Sequence, residues 1–428
     1  MDLHRGQLDA LQKLVAGVSV IKGSLAHVRE IDLFERFENQ IVKAVPWKDL
    51  IGRLEFGQIV WRTIYQLVGR VSPEYEGMLS DFGNEAISNE IVEAIRAKLE
   101  SLPCRYDVYV PMAAMQELHC EEIQITDNVA ISDALHDEQL RSLIGYGGAA
   151  QDLHRALSGL SPIPKSIVAI RYLRISTIGY GDDSPQSPAV RQAWSTAKQF
   201  IFVGMASGAL APSGASLFDT GFSLNNNIPS LVVARNGGEE VFRTSPGFEL
   251  SQLLHSMRFK SLKFLHFEKG RSLLDGEERD ATTGDEVQRS VVRAMNTAAA
   301  FLKIGSTDAA PVRAAMEWFI DADASQNETV AFLQRCIGLE ALLGSSESRR
   351  DVTERLADRY SYLVANTGTK RDAERSKFVS MYKHRSEIVH GRSTRLSDEH
   401  RAASWDARNM LLLATWREMQ NILKEADS

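Results

Sequence analysis

The chain has 428 residues, of which 44% are hydrophobic and 25% charged. That balance excludes a largely disordered chain and leaves room for two or three domains with cores of their own. The net charge of −7 excludes a global basic field, so any nucleic-acid site has to be a local basic patch.

The first residues, Met1-Asp2-Leu3-His4-Arg5, lack the apolar stretch of a signal peptide. The longest nearly continuous apolar run, 200–211, is too short to span a bilayer, so the expectation is a cytoplasmic protein without a membrane segment. Cys104, Cys120 and Cys336 are odd in number and far apart. They exclude a C-x-x-C zinc site and are expected to be buried thiols.

In chain order, the texture predicts an α+β multidomain protein. Residues 1–102 form an α-rich region, with helical apolar spacing at Ile51, Leu54, Phe56, Ile59, Val60, Ile64 and Leu67 and a break at Ser72-Pro73. Residues 103–274 form an α+β middle domain. Its strands are predicted at 106–110, 122–125, 166–175 and 230–234, and its helices at 192–203 and 250–257. Within it, Thr177-Ile178-Gly179-Tyr180-Gly181-Asp182 imitates a potassium-channel filter, but the flanking spans such a filter needs are missing. Gly179 and Gly181 are instead expected to bend the chain after a strand. His119, His136, His154, His255 and His266 show no metal-ligand spacing, and Gly145-Tyr146-Gly147-Gly148 lacks the framing of a phosphate loop.

Residues 275–286, acidic and glycine-containing, read as a linker, and 287–428 as an all-α region. Helices are predicted at 287–304, 310–320, 328–343 with Gly344 as terminator, 350–365, 374–390 and 397–424. The last is expected to bury a stripe of Trp405, Leu412, Trp416, Met419 and Leu423.

The segment Arg385-Ser386-Glu387-Ile388-Val389-His390-Gly391 carries the most chemistry, because it sets a guanidinium, a hydroxyl and an imidazole at the end of an amphipathic helix. An arginine presents a permanently charged fork that matches phosphate, and a histidine exchanges protons near neutral pH. At 100° per residue Phe378, Tyr382, Arg385 and Val389 share one narrow face, so Arg385 sits in an apolar stripe and needs a partner. Glu340, equally out of place in an apolar helix, is the candidate. The residues alone leave two readings open: a structural ion pair with His390 merely complementing a helix end, or a site. The same spacing recurs at Arg395 and His400, in and beside the polar connection 391–398, where both side chains are expected to be solvated.

Tyr382-Lys383-His384-Arg385-Ser386-Glu387-Ile388-Val389-His390-Gly391, preceded by Leu339-Glu340-Ala341-Leu342-Leu343-Gly344, resembles the HEPN domain in its Apea-like branch, over about residues 310–426. The resemblance implies a C-terminal all-α helical bundle that forms a homodimer and, in many members, a metal-independent ribonuclease with a site built by both protomers. It therefore implies RNA as partner, no cofactor and no metal ligand, with a role in bacterial anti-phage or stress defence.

In such a site Arg385 stabilises charge on the phosphoryl oxygens, His390 is general acid or base, and Ser386 hydrogen-bonds the phosphate or orients the histidine. Tyr382 is expected to stack on a base, and Lys383 and Arg392 to bind substrate. The reaction is attack of the ribose 2′-OH on the adjacent phosphorus, leaving a 2′,3′-cyclic phosphate. Residues 349–401 hold thirteen Lys and Arg against eight Asp and Glu, a local balance of +5 that suits phosphate and is also what a solvated helix face carries. The alternative function is a non-catalytic HEPN module that binds nucleotide or RNA, or only dimerises, with the N-terminal region performing recognition.

Overall fold

The computed structural model describes residues 2–22, 25–28, 31–70, 74–81, 85–112, 122–133, 171–212, 230–234, 241–259, 284–344, 352–391 and 396–426. It is a mixed helix and sheet protein whose chain divides into two compact units. The first comprises 1–108, 176–192 and 231–244, and the second 109–175, 193–230 and 245–428.

The first unit opens with α1 (Arg5–Ala16), whose start is fixed by a reciprocal cap: the Gln7 N–H donates to His4 Nδ1 at 3.2 Å and the His4 N–H to Gln7 Oε1 at 3.1 Å. Then come β1 (Val18–Ile21), β2 (Leu25–Val28), α2 (Ile31–Val42), α3 (Arg53–Val68), β3 (Gly77–Met78) and α4 (Glu85–Glu100). The α-rich expectation therefore omitted a small antiparallel sheet of order β2-β1-β3. Strands of four, four and two residues are too short to impose a visible alternation. Leu11, Leu14, Val15, Phe56, Val60 and Ile64 are fully buried, while Leu54, expected in the same stripe, is 64% exposed because it lies in the first turn of α3 on the solvent side. Trp47 is buried and satisfies its indole N–H on the Leu99 carbonyl at 2.9 Å.

A six-stranded sheet follows, built from β4 (Cys104–Pro111), β5 (Glu122–Thr126), β6 (Val129–Asp133), β7 (Arg171–Gly179), β9 (Ser230–Ala234) and β10 (Val241–Thr244) in the order β10-β9-β4-β7-β6-β5. The expected strands at 106–110, 122–125 and 230–234 are present. Of the strand expected at 166–175, residues 166–170 lie outside the described residues. All residues of β4 except Arg105 are buried, as suits a strand covered on both faces. β5 and β6 form an antiparallel hairpin with Ile123 opposite Ile131, and β6 pairs antiparallel with β7, setting Ile131 opposite Leu173.

The filter-like motif straddles the end of β7, with Thr177-Ile178-Gly179 in the strand and 180–182 in the turn that leaves it. Gly179 has φ +149°, and a side chain on Gly181 would meet Ala189 and the Tyr106 ring at 3.2 Å. Asp182 anchors the turn by accepting the Tyr180 hydroxyl at 2.8 Å and the Ser184 N–H at 2.8 Å. α5 (Pro188–Ala206), α6 (Phe248–Ser256) and a short pair, β8 (Leu210–Pro212) with β11 (Met257–Phe259), complete this part. His255 lies in α6, where its Nδ1 meets the Ser251 carbonyl at 2.6 Å. The other four histidines of this region, Cys120 and the glycine cluster 145–148 lie outside the described residues. Cys104 and Cys336 are buried, and neither forms a disulfide among the described residues.

The C-terminal region is helical: α7 (Gly284–Leu302), α8 (Ala310–Ala324), α9 (Glu328–Leu343), α10 (Val352–Val364), α11 (Gly368–Val389) and α12 (Asp398–Ala426). Of the linker expected at 275–286, residues 284–286 belong to α7 and the rest lie outside the described residues. α9 starts where Asn327 Oδ1 accepts the N–H groups of Thr329 (3.0 Å) and Val330 (3.2 Å). α11 begins six residues before its expected start, because Thr367 caps it through the Lys370 N–H.

The buried face of α12 matches the expected stripe only in part: Met419 is buried, and Leu412, Trp416 and Leu423 are half-buried. Ala403, Ala407, Met410, Leu411, Ala414 and Met419 are buried, whereas Trp405 is 63% exposed. Small residues let the helices approach closely. At Gly338 of α9 an added Cβ would meet Leu411 at 2.9 Å and Trp318 at 3.1 Å. No helix among the described residues is long and apolar enough to cross a membrane.

Candidate functional site

The end of α11 gathers most of the residues singled out from sequence. Phe378, Met381 and Tyr382 are buried, Arg385 and Ser386 are half-buried, and Val389 and His390 are exposed. The helix thus leaves the core as it proceeds. His390 is its C-cap, with its N–H on the Ser386 carbonyl at 3.0 Å. Gly391 follows with φ +68°, in the left-handed region that ends helices, and donates its N–H to the Ile388 carbonyl at 3.0 Å.

Arg385 meets the partner its position demands. Its Nη2 lies 3.0 Å from Glu340 Oε1 of α9. The same oxygen accepts the Tyr382 hydroxyl at 2.8 Å, and the Arg385 guanidinium carbon stands 5.4 Å from the Tyr382 ring centre. One carboxylate therefore satisfies a cation and a phenol. Arg385 Nε is buried and has no hydrogen-bond partner among the described residues. Burial, and then the hydrogen bond to Glu340, push the Tyr382 phenol above its ordinary range. Burial likewise pushes the Cys336 thiol upward, which leaves it unreactive.

Tyr382 is not placed as expected for base stacking. Its ring stacks on Phe378 at 6.0 Å and 13° and is only 8% exposed, so a base would have to displace a core contact. Lys383 is exposed; Arg392 and Arg395 lie outside the described residues. Part of the basic island is paired within the fold. Arg375 pairs with Glu354 and Asp358, Lys377 with Asp406 at 2.8 Å, and Arg401 with Glu328 and Asp398 at 3.2 Å each. Arg359 caps the end of α9 by donating to the carbonyls of Leu343 (2.7 Å) and Gly344 (2.9 Å).

Sequence reasoning missed two constellations. In the first, Arg408 grips Asp323 through Nη2 at 2.6 Å and Nε at 3.0 Å, while Arg335 approaches the same carboxylate at 3.2 Å and donates to Ser404 Oγ at 2.7 Å. Burial pulls Arg335 below its ordinary value, and Asp323 opposes that shift. In the second, His400, expected to be solvated, is 7% exposed, because the first turn of α12 turns it toward α11. Its Nε2 lies 3.5 Å from Glu387 Oε2, which His384 Nδ1 approaches at 3.2 Å. The only local signal was His384-x-x-Glu387, two ligand types one turn apart.

Chemically, the end of α11 offers a half-buried guanidinium held by a carboxylate and an exposed imidazole five residues on. On a continuous helix those positions diverge by about 140°, so they face different sides of one chain. No family model, curated protein or solved structure matches the chain.

Proposed function

We propose that the chain is a metal-independent endoribonuclease of HEPN type, acting as a homodimer in which Arg385 of one protomer works with His390 of the other. What supports the reading is the end of α11, where a fixed, half-buried guanidinium and an exposed C-cap imidazole lie on different sides of one helix. Two copies are the simplest way to bring such groups to one phosphodiester.

In this reading His390 takes the proton of the ribose 2′-OH or returns one to the 5′-oxygen leaving group, a role that contributes about 10²–10⁴-fold in rate. Arg385 faces the phosphoryl oxygens as negative charge develops on them. Ser386, half-buried beside Arg385, donates its hydroxyl to the phosphate or to the imidazole. Lys383, exposed one position before His384, adds charge for the RNA backbone. A part in anti-phage or stress defence belongs to the same proposal and rests on the family resemblance.

A second reading is favoured by one observation: Glu340 already engages Arg385. A guanidinium so occupied suits a module that binds RNA or nucleotide, or only dimerises, without cleaving. The deciding experiment incubates wild type, Arg385→Ala and His390→Ala with total cellular RNA in EDTA and maps the ends produced. Cleavage leaving 2′,3′-cyclic phosphates and lost in both variants is expected. Cleavage that persists in either variant, or a dimeric wild type that binds RNA and leaves it intact, overturns the nuclease.

A further inference from the structure

Three ligand-type side chains converge where the end of α11 meets the start of α12. His384 and Glu387, three residues apart, share a face of α11. His400 is the third residue of α12, and its ring enters from the other side. His384 Nδ1 and His400 Nε2 approach the same Glu387 oxygen, at 3.2 and 3.5 Å, and all the ligand atoms lie within 4.8 Å of one another.

The two distances to Glu387 come near those of the first coordination sphere of a small divalent cation. With metal–nitrogen and metal–oxygen bonds of about 2.0–2.2 Å, neighbouring ligand atoms of a tetrahedral site stand roughly 3.3 Å apart, and two imidazole centres on one ion stand roughly 5 Å apart. The two imidazole rings here are 5.0 Å apart at 66°.

The independent pointer is His400. It is 7% exposed, and its Nε2 is buried, without a hydrogen-bond partner among the described residues, and aimed at Glu387. A buried ring nitrogen left without a hydrogen bond is disfavoured unless something else satisfies it. The other ring nitrogen already has its outer contact, with Ser397 Oγ 2.6 Å from Nδ1. Metal-bound histidines characteristically donate their second N–H to such an oxygen, which fixes the tautomer and aims the ring. The Ser397 backbone N–H also lies 3.3 Å from Nδ1, and an ion held through Nε2 requires the tautomer that carries its proton on Nδ1, toward Ser397 Oγ.

We propose that His384, Glu387 and His400 form a three-ligand site for a divalent transition-metal ion of the Zn²⁺ class, fastening the end of α11 to the start of α12. Two imidazoles and one carboxylate suit Zn²⁺ and its first-row neighbours and are a poor set for Mg²⁺ or Ca²⁺, which favour all-oxygen shells. His384 and Glu387 side chains keep 19% and 29% of their exposure, so an ion has a path in, and a fourth position is open to water. The site is separate from the proposed cleavage chemistry, which uses no metal, and its test reads occupancy rather than RNA.

The test uses the full chain, stripped by chelation and titrated with Co²⁺ alone, then with competing Zn²⁺. One Co²⁺ per chain is expected, with the visible ligand-field absorption of a tetrahedral site that Zn²⁺ abolishes. His384→Ala and Glu387→Gln are expected to weaken binding by at least about 100-fold, the scale at which even outer-sphere partners begin to matter. His4→Ala, at an exposed histidine far along the chain, should bind as wild type does. Glu387→Gln keeps shape and half-exposed position, and circular dichroism verifies its fold. Absence of Co²⁺ binding to the wild type, or affinity unchanged in folded Glu387→Gln, overturns the proposal and leaves the cluster a metal-free His–Glu–His contact.

Discussion

Arg385 Nη2 stands 3.0 Å from Glu340 Oε1, joining the end of α11 to α9 across 45 residues of sequence. Both side chains keep part of their exposure, 24% and 31%, so solvent screens the pair. A double-mutant cycle with Arg385→Ala and Glu340→Ala should therefore give a coupling of about 1 kcal/mol, as for partly exposed pairs. Glu340→Ala alone should cost more than the coupling, because it also strands the Tyr382 hydroxyl. Urea denaturation measures both, and a coupling of zero would mean that the apolar stripe, not the charge, holds Arg385.

Gly391 allows a cleaner test. Its φ of +68° is accessible to glycine at little cost, and nothing among the described residues stands within 4 Å of where a Cβ would be. Gly391→Ala therefore reports backbone strain alone and should destabilise the protein by roughly 1 kcal/mol, with Gly391→Asn losing less. The ordering Gly, Asn, Ala in urea midpoints is the expected result. Equal midpoints would show that the chain after His390 adopts another conformation at no penalty.

Arg385 and Glu340 were legible from sequence for a physical reason: each is a charge in an otherwise apolar helical stripe, and two misplaced opposite charges satisfy each other. Helix α9 was legible end to end, since Asn327 caps its start and Gly344 follows its last turn. The buried face of α12 was legible only in part, at Met419. Large side chains drew attention to Trp405, while close helix packing selected Ala403, Ala407 and Ala414. The His384–Glu387–His400 cluster was out of reach for a related reason: only two of its members lie on one helix, and the third arrives through the path of the chain after Gly391. The sheet of β1, β2 and β3 escaped because ten residues in three pieces carry no period.

Asp323 is the strongest stability prediction. Its side chain is 7% exposed and faces two guanidiniums, Arg335 and Arg408, that keep only 14% and 22% of theirs. Removing one member of a buried charge cluster leaves the others uncompensated, so Asp323→Ala should cost about 3 kcal/mol or more. Asp406→Ala, which breaks the exposed pair with Lys377 at 48% and 35%, should stay within about 1 kcal/mol. Comparable losses in the two variants would place the weight of the bundle on its apolar contacts alone.

Alkaline pH probes the buried phenols. Tyr106, Tyr180, Tyr360 and Tyr382 all have their ionisation raised above the ordinary value of 10.0, in each case first by burial. A hydrogen bond to a carboxylate adds to the shift at Tyr180 (Asp182), Tyr360 (Glu374) and Tyr382 (Glu340). In the unfolded chain these phenols lose their protons near pH 10, while in the folded chain they keep them. The folded state thus binds more protons above that point. The contribution is fully present below pH 10 and is lost as pH rises through and beyond it, at about 1.4 kcal/mol per pH unit for each phenol. Urea midpoints should accordingly be insensitive to these groups between pH 7 and 9 and fall steeply above 10. Tyrosinate absorbance should reach its full value for the ten tyrosines of the chain only as the helical circular dichroism disappears. Full tyrosinate absorbance in a chain that keeps its helical signal would show that these four rings reach solvent without unfolding, and the packing of Tyr382 beneath Arg385 would then be looser than its 2.8 Å bond to Glu340 implies.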